Sequence, residues 1–172
     1  MKKLLIILLA GLCLLVSFVG CSSKANSPEA VAESYLKATS EGDAKTVVNL
    51  LPDKVLKEIM EDEGFDSKKE LIEEMEDTLS AILDMNKEYK IKYSFKVLGS
   101  KDLSKDDLKD LKEDYKDDYN IRIETAKVVT IEITTKATYD GEKNESTTET
   151  DVPVIKIGNN WYFDYESANG FM

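Results

Sequence analysis

The spacing of the apolar residues changes near residue 89, and this change limits the possible folds more than any other feature of the chain. Before it, apolar residues recur every three or four positions, as in Ile72, Met75 and Leu79, which is typical of amphipathic helices. From Tyr89 to Val97, apolar and polar residues alternate strictly, which is typical of a half-buried β-strand. Helices followed by strands predict an α+β domain.

Capping residues divide the helical part into four predicted helices. Ser27 is a good N-cap, followed by a proline at the first helical position, and Gly42 is placed to end this first helix. The next three helices are expected to begin at Asp43, Pro52 and Ser67. Ser67 opens a capping box, since a glutamate follows three residues later.

The remaining residues predict an antiparallel meander with one helical interruption. The expected elements are an exposed, highly charged helix at 104–119 and strands at about 127–139, 145–157 and 161–165. Asp140-Gly141 is a hairpin turn signal. Pro153 cannot donate a ladder hydrogen bond, which predicts an edge or a bulge at that point. The sequence therefore predicts N-terminal helices covering one face of a curved antiparallel sheet of about four strands.

The order of these signals resembles a known group of domains. The Glu41-Gly42-Asp43 turn, an apolar helix running into Pro52, the Asp140-Gly141 hairpin and the final Gly-Asn-Asn-Trp-Tyr-Phe strand occur in sequence between residues 27 and 166. This arrangement resembles the cystatin-like or nuclear transport factor 2-like domains of uncharacterised small bacterial lipoproteins. The resemblance implies a cone-shaped pocket between helices and sheet, and some relatives are enzymes that use a pocket Asp, Tyr or His.

Aromatic side chains are the candidates for lining such a pocket: Tyr35, Tyr93, Phe95, Trp161 and Phe163. The alternative is that they only fill the core, as aromatic residues in strands usually do. Two aspartates lie near element boundaries, but Asp43 is explained as a helix cap, and Asp164 is expected to alternate outward from Phe163. Since no two acids form an evident acid–base couple, the sequence predicts no catalytic residue.

The first 20 residues have the features of an export signal. Two lysines precede a 16-residue apolar run from Leu4 to Val19. As a helix this run spans about 24 Å, shorter than the roughly 30 Å hydrocarbon core of a bilayer. An export signal is therefore favoured over a membrane-spanning helix.

The end of this run resembles the lipobox of bacterial lipoprotein precursors, with the residues Phe18-Val19-Gly20-Cys21, although Leu is more usual than Phe at the first position. The resemblance implies cleavage after Gly20 and a diacylglyceryl group on Cys21. The alternative is an ordinary cysteine that follows a conventional signal peptide. The predicted organisation is a lipoprotein signal peptide at 1–20, a lipidated cysteine and polar tether at 21–26, and one α+β domain at 27–172.

Charge and composition exclude several classes of function. Without the two leader lysines, the 23 Lys and Arg fall to 21 against 34 Asp and Glu, a net charge of −13. Nucleic-acid binding is not expected of so acidic a domain. The chain has no histidine, and Cys13 lies inside the leader, so histidine-based catalysis and an intramolecular disulfide in the mature domain are excluded.

Two clusters of acidic residues, at 61–63 and within 104–119, are candidate calcium sites. Neither cluster has the ligand spacing and central glycine of an EF-hand loop. The lysines of the second cluster occur at spacings that allow salt links along a helix, which favours a solvated helix face. No metal site and no cofactor is therefore predicted.

Taken together, these features predict a lipoprotein held at the extracytoplasmic face of the cell membrane through Cys21. The expected function is a non-enzymatic binding or accessory module of the cell envelope, whose partner is an unidentified small ligand or envelope protein. The alternative is an enzyme with an apolar pocket that uses Tyr and Asp chemistry. Fold alone cannot choose between them, because folds of this type host many functions.

Overall fold

A computed structural model describes residues 27–169. The predicted leader, Cys21 and the tether lie outside these described residues. In chain order the elements are α1 (Pro28–Glu41), α2 (Ala44–Asn49), α3 (Asp53–Glu63), α4 (Lys68–Glu88), β1 (Lys92–Asp102), α5 (Lys105–Tyr119), β2 (Thr125–Tyr139), β3 (Glu142–Ile157), β4 (Asn160–Phe163) and α6 (Tyr165–Asn169). The predicted α+β class is confirmed, with helices preceding a sheet of four antiparallel strands.

The predicted caps define the helix ends. The hydroxyl of Ser27 accepts a hydrogen bond from the N–H of Ala30 at 3.1 Å, and Asp43 accepts one from the N–H of Thr46 at 3.0 Å. Gly42 ends α1 in the left-handed conformation, with φ 73°. These caps satisfy backbone groups that a helix end otherwise leaves unpaired.

The first strand begins later and ends later than predicted. The helical turn persists past Tyr89, because the N–H of Ile91 still bonds to the carbonyl of Asn86 at 2.8 Å. At the other end the register shifts between Val97 and Gly99, so β1 continues after its alternation of apolar and polar residues has stopped. Such a bulge lets pairing continue with a changed side-chain phase.

The sheet has the strand order β1-β2-β3-β4. The hairpin predicted at Asp140-Gly141 joins β2 to β3, and both turn residues have positive φ, 48° and 83°. This is the requirement of a type I′ turn, whose twist matches that of the strands. The hairpin prediction is confirmed.

Pro153 lies where β3 becomes an edge. The ladder between β3 and β4 starts at Val154, which pairs with Phe163. One step further, the N–H of Asp164 donates to the Pro153 carbonyl at 3.1 Å. Proline has no N–H to return the bond, so the ladder stops there, in agreement with the prediction.

Two hydrophobic clusters lie on opposite faces of the sheet. The first contains residues of α1 to α4 packed against β2, β3 and β4, including Val31, Ile131 and Val154. The second contains residues of α5 and the segment after it, packed against Ile155. Val154 and Ile155 are both 0% exposed, although neighbouring strand residues point to opposite faces. The N-terminal helices therefore cover one face, as predicted, and α5 covers part of the other.

The two glycines that end α1 and α3 allow a matched stability test. Both are left-handed, with φ 73° at Gly42 and 78° at Gly64. A Cβ at Gly42 would lie 2.5 Å from Cδ1 of Leu83, whereas one at Gly64 would meet nothing within 4 Å. We expect Gly64→Ala to cost about 1 kcal/mol from backbone strain alone and Gly42→Ala about 2 kcal/mol or more. Urea unfolding of both variants measures the free energy of unfolding. Equal losses in the two variants would show that the contact with Leu83 adds no cost at Gly42.

Candidate functional site

Helix α5 separates its charges onto different sides. Its lysines, at positions 105, 109, 112 and 116, follow a 4-3-4 spacing and so form one stripe along the helix. The acids occupy the remaining solvent side: Asp106, Asp107, Asp110, Glu113, Asp114, Asp117 and Asp118. Leu111 and Tyr115 are buried at 7% and 0% exposure and hold the third side against the sheet. The lysine stripe therefore borders the buried side rather than mixing with the acids.

Few of the salt links allowed by the sequence are formed. Lys109 contacts Asp110 at 3.9 Å and Glu113 at 3.8 Å, and Lys116 contacts Asp117 at 3.7 Å. Within residues 27–169, Lys105 and Lys112 make no ion pair. The interpretation of these lysines as salt-link partners thus applies to only part of the stripe.

A cleft lies beside the C-terminal half of α5, and two lysines of the stripe line it. This cleft has a volume of about 790 Å³ and is lined by Lys112, Lys116 and residues 120–124, among them Arg122. A neighbouring cleft of about 440 Å³ continues along α5 and is also lined by Lys105 and Lys109. We call the two together the basic cleft.

The backbone under the basic cleft is held firmly. Ile121 and Ile123 are 6% and 2% exposed and belong to the second cluster, which leaves the residue between them, Arg122, facing solvent. Asn120 caps α5 in the left-handed conformation, with φ 50°. The Nζ of Lys54 donates to the carbonyl of Asn120 at 2.6 Å. The cationic side chains of the cleft therefore project from a backbone that is anchored by buried residues and a hydrogen bond.

The electrostatics of the basic cleft differ from those of the domain around it. Arg122 is the single arginine of the sequence, and in the described part of the chain it has no ion-pair partner. Glu124 also lines the cleft, but it pairs with Lys156 at 3.4 Å. Within residues 27–169, three cations of the cleft, Lys105, Lys112 and Arg122, thus have no ion-pair partner, and such cations in an acidic domain are an attractive site for an anion.

A second feature, a buried hydrogen-bond network, joins α5 to the end of the sheet. Asp164 is 1% exposed, and it accepts a hydrogen bond from the hydroxyl of Tyr115 at 2.8 Å. Its other carboxylate oxygen accepts from the hydroxyl of Ser167 at 2.5 Å. The Tyr115 hydroxyl itself accepts from the N–H of Tyr165 at 3.2 Å.

The expectation that Asp164 points outward is wrong. Strand alternation stops at Phe163, the last residue of β4, and Asp164 instead caps α6, where the N–H of Ser167 donates to its carboxylate at 3.4 Å. Sequence alternation cannot show this, because α6 is only five residues long. A short helix with few apolar residues leaves no clear period.

Burial raises the pKa values of two tyrosines, Tyr115 of the network and Tyr119 beside it. Desolvation, with a further contribution from the Asp164 carboxylate, raises the pKa of Tyr115 far above its usual value. Desolvation and a hydrogen bond to Glu166 likewise raise the pKa of Tyr119. Both carboxylate oxygens of Asp164 are already bonded, and Asp164 lines neither cleft. The network is therefore suited to holding α5 in place rather than to reacting with a substrate.

The aromatic residues proposed for a pocket fall into two pairs and a single residue. Tyr35 stacks on Phe163, with ring centroids 3.9 Å apart, and Tyr93 lies 6.4 Å from Phe95. Trp161 is 9% exposed within the first cluster. None of the five lines the basic cleft. The structure thus places four of them, Tyr35, Phe95, Trp161 and Phe163, at the first cluster, and Tyr93 beside Phe95 on β1.

The sequence indicated the regular spacing of the α5 lysines but did not predict the cleft that they line. The 4-3-4 spacing was a sufficient signal for a one-sided stripe. Arg122 carried no such signal, because its position opposite the stripe depends on how the chain turns after Asn120.

Two structural features are absent from residues 27–169. In this part of the chain, no group of three or more acidic or cysteine side chains is arranged to hold a metal ion. In the same residues, no helix is both long and apolar enough to cross a bilayer.

Comparison with known proteins adds no assignment. No protein-family model, no curated protein and no solved structure matches this chain.

Proposed function

We propose that this protein is a membrane-anchored extracytoplasmic lipoprotein whose domain is a non-enzymatic binding module of the cell envelope, with the basic cleft as its binding surface. The observation that carries the binding role is the set of cations in the cleft, Lys112 and Arg122 above all, that have no partner among the described residues. A module with such a surface is suited to an anionic ligand.

The sequence before the domain supports the anchor. Phe18-Val19-Gly20-Cys21 resembles a lipobox, and Ser27 already caps α1. Six residues of extended chain span at most about 20 Å, so lipidated Cys21 would keep the start of α1 within that distance of the membrane surface. Two acyl chains give stable attachment.

The same geometry brings α5 toward the anchor. Glu29 in the first turn of α1 accepts a hydrogen bond from Ser100 near the end of β1 at 2.6 Å. Helix α5 starts at Lys105, three residues after β1 ends. The start of the lysine stripe would therefore lie on the side of the domain that carries the tether, while the β2–β3 hairpin turn would lie far from it.

The alternative, an enzyme with Tyr and Asp chemistry, has less support. The Tyr–Asp pair of this chain is Tyr115 with Asp164, and it is buried and hydrogen-bonded within the protein. A general base has to reach the proton that it removes. Neither cleft of about 790 or 440 Å³ is lined by either residue.

The anchor is tested by replacing each cysteine in turn. In a bacterium that processes lipoproteins, we expect Cys21→Ala to abolish incorporation of labelled palmitate and to leave the chain uncleaved or released from the membrane. Cys13→Ala, inside the predicted leader, is the matched control and should keep its label. Gel fluorography and membrane fractionation measure both outcomes. Labelling of Cys21→Ala at the level of the unchanged protein would refute the lipobox assignment.

A further inference from the structure

We propose that the basic cleft binds a phosphate-type oxyanion that carries at least two negative charges, with Lys112 and Arg122 as its main contacts. This inference deepens the proposed function, because it names the ligand class of the proposed binding surface. It rests on the binding role and is independent of the lipid anchor.

Repulsion between the lysines of the stripe destabilises α5. The neighbours of Lys112 at three and four residues are Leu108, Lys109, Tyr115 and Lys116, so no acid lies at these spacings, and the adjacent Glu113 contacts Lys109 instead, at 3.8 Å. Like charges at these spacings destabilise a helix. Helix α5 contains seven acids, so a sequence with one lysine and one acid in swapped positions would have less of this repulsion. The arrangement is explained if the lysines act together on something outside the helix.

Lys116 has a separate structural explanation. It lies in the last turn of α5, where a cation interacts favourably with the helix dipole. Lys112 is further from the end, and Arg122 lies outside the helix, so this explanation covers neither. Two of the last carbonyls of α5, those of Tyr115 and Lys116, accept hydrogen bonds from Ile121 and Asn120 at 2.9 and 3.0 Å, which lessens the partial negative charge at this helix end.

The chemistry of the cations indicates the ligand class. A guanidinium presents a planar fork that binds two oxygens of a phosphate, whereas an ammonium acts as a point charge. Arg122 has its backbone fixed between two buried isoleucines, which reduces the ordering cost of binding. The larger part of the cleft holds three cations, Lys112, Lys116 and Arg122, and one carboxylate, Glu124, which is paired with Lys156. The smaller part adds one further carboxylate, Glu113, which contacts Lys109 at 3.8 Å. A ligand with two or more charges neutralises this set better than a monoanion.

The size of the cleft adds one constraint. Its larger part, about 790 Å³, is within the roughly 300–1,000 Å³ typical of small-molecule sites. It therefore has room for a phosphate attached to a further group. A soluble phosphate compound and the phosphate of a lipid headgroup share this chemistry.

Titration calorimetry of the full chain in detergent, with sodium pyrophosphate as the probe, tests the site. We expect the double variant Lys112→Gln with Arg122→Gln to bind at least about tenfold more weakly, since each charge-assisted hydrogen bond contributes about a factor of ten or more. Lys37→Gln with Lys45→Gln is the matched control. It makes the same change of charge at exposed lysines of α1 and α2 and should bind like the unchanged protein.

A second arm distinguishes the two sources of phosphate. Detergent micelles that contain phosphatidic acid are compared with micelles that contain phosphatidylcholine. Binding to phosphatidic acid alone, lost only in the cleft variant, supports the site and identifies a lipid headgroup as its ligand. Binding of pyrophosphate with the same loss supports the site with a soluble ligand.

Two results would overturn the proposal: equal weakening in the cleft and control variants, or no binding of either probe by the unchanged protein. Urea unfolding shows that the cleft variant is folded, and loss of the lysine repulsion should raise its midpoint slightly. Cys21→Ala full chain is expected to keep the same affinity for pyrophosphate, so failure of the anchor and failure of the site give different results.

Discussion

Replacing Asp164 by alanine is expected to destabilise the domain by about 2–4 kcal/mol. The change removes the cap of α6, which contributes about 1 kcal/mol, and leaves the buried Tyr115 hydroxyl without its acceptor, at a further cost of about 1–3 kcal/mol. The carboxylate accepts hydrogen bonds from both Tyr115 and Ser167, at 2.8 and 2.5 Å. One substitution therefore releases α5 and α6 together.

Urea unfolding followed by circular dichroism measures this loss. Asp62→Ala, at an exposed position of α3, is the matched control and should change the free energy of unfolding by less than about 0.5 kcal/mol. A loss of that small size in Asp164→Ala would contradict the structural role of the network. Binding of pyrophosphate should also weaken in Asp164→Ala, because Lys112 and Lys116 depend on the position of α5.

The second large effect is a loss of stability at alkaline pH. The folded chain holds the pKa of Tyr115 well above the value of about 10 that it has when unfolded, mainly through desolvation. Below pH 10 both states keep the proton, and the stabilisation is fully present. Above pH 10 the unfolded chain loses the proton first, so unfolding becomes easier by about 1.4 kcal/mol per pH unit for this one group.

Variants separate this effect from the titration of other groups. Tyr115→Phe is expected to be less stable at pH 7, because the hydrogen bond to Asp164 is lost, but its stability should fall less steeply between pH 10 and 11. Tyr119→Phe should flatten the fall as well, since desolvation and the hydrogen bond to Glu166 also raise the pKa of Tyr119. Urea midpoints at pH 7, 9, 10 and 11 give the slopes. Parallel curves for Tyr115→Phe and the unchanged protein would show that this tyrosine titrates normally.

Much of the fold could be predicted because it depends on local signals. Ser27, Asp43 and Gly42 act through hydrogen bonds or backbone angles within a few residues, so their neighbours along the chain are sufficient evidence. The hairpin at Asp140-Gly141 is equally local. Alternation over five apolar positions revealed β1, although the bulge after Val97 was not visible in the pattern.

The features that the sequence did not predict depend on contacts between residues far apart along the chain. Tyr115 and Asp164 are 49 residues apart in the sequence and meet only because α5 packs against the second face of the sheet. Residue types alone do not show whether an aspartate is exposed or is bonded within the protein. The same applies to Arg122, whose place opposite the lysines depends on the turn at Asn120.

By itself, the sequence determined the helix boundaries, the change from helices to strands, the 4-3-4 lysine spacing and the lipobox-like residues that end at Cys21. These features are spacings and caps, and they act over a few residues. The tertiary structure decided that α5 covers part of the second face of the sheet, that Asp164 is buried, and that Arg122 lines the same cleft as the lysines. The reason is physical: apolar periodicity specifies which side of an element is buried, but only packing specifies what that side is buried against.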